Sequence, residues 1–291
     1  MRTASAARKK ATSPPPGEPG ALRDPGPPRG LVRPAVPEPG AFHHVRLPPS
    51  PALEDVVQHY WSVRWDLGDA PPQRCESLPH PNVHCVIGDS GDRILGVHTA
   101  RFGVVLAGRG AAFGIKFRVG GFRALLGAPV SRLRDRQIPP QAVFGEAATR
   151  YARALAAEAD DGGRVALAEA LLADAARPDA RARLCARIAD TISTDASLVR
   201  VDQLCERWEM DARALQRLFD GYAGVGAKWV IARYRLHEAL DRIAASACRT
   251  IDWPAFALEL GYFDQAHFIR DFRRLVGATP AAYSRRCRDA P

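Results

Sequence analysis

The most constraining feature of this sequence is a helix-pair pattern that occurs twice in its last third. In the first copy, apolar side chains recur at i, i+3, i+4 and i+7, the spacing of an amphipathic helix, at Val201, Leu204, Cys205 and Trp208. Asp211 follows and can cap the N-terminus of a second helix. The predicted inner face of that second helix comprises Leu215, Leu218 and Phe219.

The opposite face of this second helix is polar and presents Arg213, Gln216 and Arg217. In a major groove, Arg forms bidentate hydrogen bonds with guanine and Gln does so with adenine. A single polar helix face is equally typical of a solvated surface. One copy of the pattern therefore does not establish nucleic-acid binding.

The pattern repeats over residues 250–276. Pro254 is tolerated in the first turn of a helix, and Gly261 stands where that helix must end with a positive φ. Asp264 is predicted to lie in the first turn of the following helix, at its positive end. The predicted inward residues are Phe268, Phe272 and Leu275. The predicted outward residues are Gln265, His267 and Arg270, with Arg273 and Arg274 near a phosphate path.

The two copies are joined by KWVIARYRLHEALDRIAA, which predicts one long amphipathic helix. About 18 helical residues span roughly 27 Å. This is close to the ~34 Å that separates successive major-groove faces of DNA. Two tandem units at this spacing favour DNA binding over a merely solvated surface.

The segment ALELGYFDQAHFIRDFRRLVGATPAAY closely resembles the AraC/XylS family of bacterial transcription regulators, and the resemblance covers about residues 193–289. This segment retains the elements of the family motif, namely Gly-aromatic, Asp-Gln, His-Phe, Arg-x-Phe and Gly-x-x-Pro-x-x-Tyr. Two further segments, LQRLF and RYRLHEAL, match the family pattern in the first helix pair and in the connecting helix. Two positions depart from the family pattern. Cys205 replaces an Ala, and Glu209 replaces a Gly, so that Glu209 carries a strained backbone if it keeps a positive φ.

The resemblance implies a sequence-specific transcriptional regulator, expected to be an activator, that binds double-stranded promoter DNA and RNA polymerase in the bacterial cytoplasm at the nucleoid. A homodimer is a further expectation. Ala266 can offer only its methyl group, which suits thymine. By position, the implied DNA-binding residues are Arg213, Gln216, Arg217, Gln265, Ala266, His267, Arg270 and Arg273.

Net charge alone does not identify the DNA-binding region. The chain carries a formal charge of +9, but residues 193–291 contain 15 basic and 13 acidic residues. Affinity for DNA must therefore come from where the arginines lie. The six cysteines form no C-x-x-C pair, so neither a zinc site nor a disulfide framework is predicted. No apolar run approaches the ~18 residues of a membrane span, so no membrane partner is predicted.

The rest of the chain predicts three further segments, giving an α+β protein. Residues 1–51 are rich in Pro and Gly and predict a disordered tail, whose basic start suits either non-specific DNA affinity or targeting. Residues 52–140 predict a β-rich, barrel-like (cupin-like) domain. Residues 141–192 predict a helical linker, and 193–289 form the all-α double helix-turn-helix domain.

Within 52–140, ALEDVVQHYWSVRW predicts a short helix or a helix that leads into a strand. Short strands separated by turn signals are predicted at NVHCVIG, RILGVHT, RFGVVLAG and AAFGIKF. A helix that closes the domain is predicted at GGFRALLG. Several of these segments resemble the sensing domain of a less characterised subgroup of the same family. That resemblance implies effector binding or dimerisation, with candidate effector residues Trp61, Glu76, His80, His84 and Arg118.

A second hypothesis is a metal-dependent, cupin-like enzyme fused to a DNA-binding module. His80 and His84 share a strand face, and His98 and Glu76 are near enough in sequence to complete a ligand set. The same residues also suit an effector pocket or structural hydrogen bonds. No catalytic triad, phosphate-binding loop or dinucleotide fingerprint is present, so the main prediction is a non-enzymatic regulator without a cofactor.

Overall fold

The computed structural model describes residues 42–174, 177–246 and 250–288. Most of the predicted tail, residues 1–41, lies outside the described residues. Its last part does not, because Phe42–Leu47 forms strand β1 and pairs antiparallel with β2 (Val57–Asp66). The folded domain therefore begins before residue 52. Strand β1 has only six residues and lies among prolines. Its sequence therefore has no periodic pattern long enough to distinguish it from the predicted disordered tail.

The predicted β-rich domain is confirmed, as two antiparallel sheets instead of one closed barrel. The remaining strands are β3 (Gln73–Ser77), β4 (His84–Gly88), β5 (Arg93–Leu95), β6 (Phe102–Leu106), β7 (Arg109–Phe117) and β8 (Gln137–Ile138). One sheet has the order β1-β2-β7-β4-β5-β8, and the other pairs β3 with β6. The helix predicted at GGFRALLG is α1 (Phe122–Leu126).

Strand β2 replaces the short helix that was one reading of residues 52–65. Residues 51–56 form turns, and the chain then stays extended to Asp66. Both faces of this strand are covered by protein, so apolar side chains lie on both faces and mask the alternation typical of a half-exposed strand.

The predicted linker is divided between the two domains. Helices α2 (Gln141–Phe144), α3 (Glu146–Ala157) and α4 (Asp161–Leu172) precede α5 (Ala180–Thr194). Helices α3 and α4 cover one face of the large sheet, where Tyr151 and Leu172 join the core that contains Phe113 and Ile115. Helix α5 instead packs Ile188 into the core of the C-terminal domain.

The C-terminal domain is all-α, as predicted. Its helices are α6 (Val201–Arg207), α7 (Ala212–Tyr222), α8 (Ala227–Ala245), α9 (Trp253–Glu259), α10 (Gln265–Val276) and α11 (Pro280–Arg288). Helix α8 contributes to the buried clusters of both helix pairs. The N-terminal domain also contributes to both clusters, with Val97 and Val119 in the first and Leu78 in the second. No helix in the described ranges has both the length and the hydropathy of a membrane span.

Candidate nucleic-acid interface and ligand pocket

The first candidate recognition helix, α7, is fixed by its cap and by its inner face. The carboxylate of Asp211 accepts a hydrogen bond from the Ala214 backbone N–H at 2.7 Å, which confirms the predicted N-cap. Leu215 and Phe219 are completely buried. The opposite face carries the predicted polar residues in exposed positions, namely Arg213, Gln216 and Arg217.

The second recognition helix, α10, is built in the same way. Asp264 is its N-cap, one position before the predicted first turn, and accepts a hydrogen bond from the His267 backbone N–H at 2.6 Å. Phe268 and Phe272 are fully buried. On the outer side Gln265 is half-buried, while the exposed residues are Ala266, His267, Arg270 and Arg273.

The turns that precede the two recognition helices share one backbone geometry. Glu209 has φ 49° and Gly261 has φ 72°, so the departure from glycine in the first turn keeps the left-handed conformation. In each turn the next residue donates its N–H five residues back, from Met210 to the Cys205 carbonyl and from Tyr262 to the Ala257 carbonyl, both at 3.0 Å. The strain predicted at Glu209 is therefore present.

In the part of the chain that the structure describes, some arginines of the domain are held by ion pairs, whereas those on the two outer faces are not. Arg242 and Arg274 form ion pairs with Glu259 and Asp271. In contrast, no hydrogen bond or ion pair within the described ranges involves the guanidinium groups of the four predicted DNA-binding arginines, Arg213, Arg217, Arg270 and Arg273. These guanidinium groups keep all their donors available for phosphates or base edges.

Four of the five predicted effector residues line one cavity of about 320 Å³ between the two sheets, namely Trp61, Glu76, His80 and His84. Arg118 does not line this cavity, and its effector contact stays a prediction. Strand β7 ends at Phe117, and the Arg118 side chain turns away from the sheet. It pairs with Asp190 on α5 and donates to the Glu54 carbonyl.

The base of the cavity is a row of three basic side chains across adjacent strands. In the sheet register, Lys116 on β7 lies opposite His59 on β2 and opposite His84 on β4. Directly opposed residues project from the same face of a sheet, so all three side chains enter the cavity. Every second residue of β2 faces the cavity, namely His59, Trp61, Val63 and Trp65, and this alternation could have identified the cavity face from the sequence. His59 was missing from the predicted effector residues.

Two tryptophans lie flat against strand β7, where glycines make room for them. Trp61 is paired with Gly114 and Trp65 with Gly110. A Cβ atom added to Gly114 would overlap the Trp61 ring, and one added to Gly110 would overlap the Trp65 ring. The two indoles therefore form an apolar surface that extends from the basic row towards the cavity entrance.

Burial makes this row electrostatically unusual. Lys116 is 6% exposed and His59 is 5% exposed. Burial, with a smaller contribution from Arg46, lowers the pKa of Lys116 to about 7. Burial, followed by the charge of Lys116, lowers the pKa of His59 to about 2 and that of His84 to about 3. No carboxylate contributes to any of these shifts.

Glu76 lines the cavity but is already engaged. Its carboxylate accepts from Arg74 at 2.8 Å and from Arg101 at 3.0 Å. Arg101 also lies 3.5 Å from the carbonyl of Val276, at the end of α10. A wall of the cavity is thereby connected to the C-terminal end of a recognition helix.

Further contacts connect the N-terminal domain to α8 and α7. The ring of His80 stacks on His237 with centroids 4.3 Å apart, and Arg233 donates to the Thr99 carbonyl at 3.1 Å. At the C-terminal half of α7, Asp220 accepts from Ser131 and from Arg134, both at 2.9 Å.

The residues of the metal hypothesis do not converge. His80 stacks on His237, His84 lies 6.5 Å from the Trp61 ring, and His98 packs beside Phe102. Within the residues that the structure describes, no group of three His, Cys, Asp or Glu side chains is placed to hold a metal ion. The geometry therefore gives the enzyme hypothesis no support.

Comparisons with known families match both domains. Residues 45–139 match a family described as a domain of unknown function (DUF6597), and residues 204–286 match a family described as a helix-turn-helix domain. No curated protein has a significantly similar sequence.

Solved structures of ToxT from Vibrio cholerae O395 give weak similarity. One is 10% identical with a TM-score of 0.37 and covers 86% of this chain and 99% of that chain. Another, bound to (E)-4-(8-methylnaphthalen-1-yl)but-3-enoic acid, is 11% identical with a TM-score of 0.38, covering 85% and 99%. Scores this low support no conclusion about this chain.

The motif at residues 257–283, the capped recognition helices and the family match agree on the C-terminal domain. The chain therefore joins a domain of unknown function to an AraC-type helix-turn-helix domain, and it is a DNA-binding transcriptional regulator.

Proposed function

We propose that this protein is a ligand-responsive transcription factor that reads two successive major grooves with α7 and α10. The observation that carries the proposal is the pair of outer faces whose four arginines have no partner in the described part of the chain. Helix α8, with 19 residues, separates the two helix pairs by about 28 Å along its axis. This length is close to the ~34 Å between successive major-groove faces on one side of DNA.

Each predicted residue has a proposed role. Arg213, Gln216 and Arg217 on α7 contact base edges in one groove, and Arg270 on α10 does so in the next. Gln265, Ala266 and His267 lie in the first turn of α10, the part of a recognition helix that enters the groove most deeply. Arg273, one turn beyond Arg270, contacts a phosphate.

The N-terminal domain is proposed to bind an effector and not to catalyse a reaction. Its cavity is connected to α10 through Glu76 and Arg101 and to α8 through His80. A bound molecule that moves these side chains would therefore change the position of the reading helices. We further propose activation of transcription through contact with RNA polymerase, a homodimeric state and a bacterial cytoplasmic location, on the basis of the family resemblance.

Replacing Arg217 or Arg270 by Ala is expected to weaken binding at the cognate site by about 1–3 kcal/mol for each substitution and to relax base preference there. The footprint of the full chain on genomic fragments identifies the site, and a salt titration of binding checks the phosphate contribution, because displaced counterions make affinity fall steeply with salt.

Arg153→Ala is the matched control, since Arg153 is an exposed arginine on α3 of the other domain. It should leave the footprint unchanged. Unchanged footprints for both Arg217→Ala and Arg270→Ala would show that these helix faces do not read DNA.

A further inference from the structure

We propose that the cavity binds an organic monocarboxylate, with its carboxylate held by Lys116, His59 and His84 and its apolar body lying along Trp61 and Trp65. This inference rests on the proposed function, because it names the effector class of the same regulator.

The position of Lys116 is the first argument. Its side chain lines the cavity, is nearly completely buried and forms no hydrogen bond or ion pair within the described ranges. A buried ammonium without a partner lowers stability, since transfer from water is costly unless a counter-charge is present. No contact of Lys116 within the described ranges explains its burial, whereas a bound anion would provide the missing counter-charge.

The groups around Lys116 define the charge of the ligand. His59 and His84 flank it on the two neighbouring strands, and Arg46 and His44 also line the cavity. The pKa values of His59 and His84 keep both imidazoles neutral at physiological pH, so each can donate one N–H to an oxygen. Glu76 is the one carboxylate among the described lining residues, and its charge is already balanced by two arginines, so the cavity offers a cationic ligand no uncompensated counter-charge.

The walls define the rest of the molecule. Beyond the basic row, the cavity is bounded by the two indoles and by Val86, Leu95, Phe102 and Val104. Such a surface favours an alkyl or aryl group through burial of apolar area. Lys116, His59 and His84 each offer one N–H at a single point, which suits one carboxylate, whereas proteins bind a doubly charged phosphate mainly through the forked guanidinium of arginine or through helix N-termini.

Isothermal titration of the full chain with octanoate and with phenylbutanoate tests the proposal, and the corresponding alcohols serve as neutral ligands of similar shape. Each acid is expected to bind at least about tenfold more tightly than its alcohol, because a hydrogen bond to a charged group contributes more than a neutral one. Lys116→Met should remove this preference while the alcohol binds as before.

Lys228→Met is the control, because Lys228 is exposed on α8. It should bind like the wild type, and circular dichroism checks that each variant is folded. Equal affinity for acid and alcohol, an acid affinity unaffected by Lys116→Met, or no binding of either acid up to about 5 mM would each overturn the proposal.

The two proposals fail separately. If DNA footprints respond to Arg217→Ala and Arg270→Ala while neither acid binds, only the ligand class is wrong. If the acids bind as expected and the footprint ignores the arginines, the proposed reading of DNA is wrong and the carboxylate site stands.

Discussion

Lys116→Met is expected to raise the free energy of unfolding by up to about 5 kcal/mol at pH values below 7, the largest effect of any single substitution considered for this chain. The pKa of Lys116 is lowered from 10.5 to about 7 in the folded protein, with burial as the main cause. Each unit of pKa difference corresponds to about 1.4 kcal/mol of preference for the neutral form. Methionine fills a similar volume without a charge to desolvate.

The pH dependence follows from the direction of this shift. Between about pH 7 and 10.5 the unfolded chain binds a proton at Lys116 that the folded chain does not, so wild-type stability rises with pH in this window. Below pH 7 both states are protonated and the full penalty is present. The advantage of Lys116→Met should therefore fall by about 1.4 kcal/mol per pH unit above neutrality and vanish near pH 10.5.

Urea denaturation of the wild type and of Lys116→Met between about pH 6 and 10.5 measures the difference in their free energies of unfolding. His59 and His84 lose the charge of Lys116 in the variant, which raises their pKa values, but burial remains the main cause that keeps both imidazoles neutral above pH 7. Lys228→Met should show no comparable pH-dependent gain. A difference between wild type and Lys116→Met that does not vary with pH would mean that Lys116 has a partner in solution.

Gly261→Ala is expected to destabilise the protein by about 2–4 kcal/mol, from left-handed backbone strain together with overpacking. Gly261 has φ 72°, and a Cβ added there would lie 2.6 Å from Cγ1 of Val199, a branched side chain that cannot easily move away. The second recognition helix follows this turn directly. Loss of DNA affinity should therefore accompany the loss of stability.

Glu209→Gly at the equivalent turn is expected to act in the opposite direction. Glycine adopts φ 49° without the steric cost that Glu209 bears, which should stabilise the fold by about 1 kcal/mol after the entropy of the unfolded glycine is subtracted. Thermal unfolding of both variants beside the wild type measures the pair. A destabilised Glu209→Gly protein would show that the glutamate side chain makes a compensating contact in solution.

The C-terminal domain was predictable because its signals are local. Caps at Asp211 and Asp264, the positive φ at Gly261 and the apolar stripes all act within a few residues of the chain. The exposure of Arg217 and Arg270 follows from the same helical periodicity. The strain at Glu209 was expected from the family resemblance, on the condition that this position keeps the positive φ of the glycine that Glu209 replaces.

The N-terminal domain was less predictable because its pairings are distant in sequence. His59 and Lys116 meet only because β2 pairs with β7, and no short-range pattern reveals that register. Arg118 was named as a candidate effector residue, but strand β7 ends one residue before it, at Phe117, and Arg118 does not line the cavity. Four of the five candidate effector residues still line the same cavity: Trp61, Glu76 and His84 lie in strands, whose period-two pattern fixes the face of each side chain, and His80 lies in the segment that connects β3 to β4.

The N-terminal domain holds both recognition helices at their C-terminal ends, α7 through Asp220 and α10 through the Arg101 contact with Val276. The distance between the two DNA-reading faces is thus determined by this domain as well as by α8. One base-pair step of DNA is about 3.4 Å. We therefore expect binding sites with one base pair added between their halves to be rejected by the full chain and to be tolerated better once the Arg101 and Arg134 contacts are removed. A ligand bound in the cavity would then regulate which half-site spacing the protein accepts, and not only its affinity for a single site.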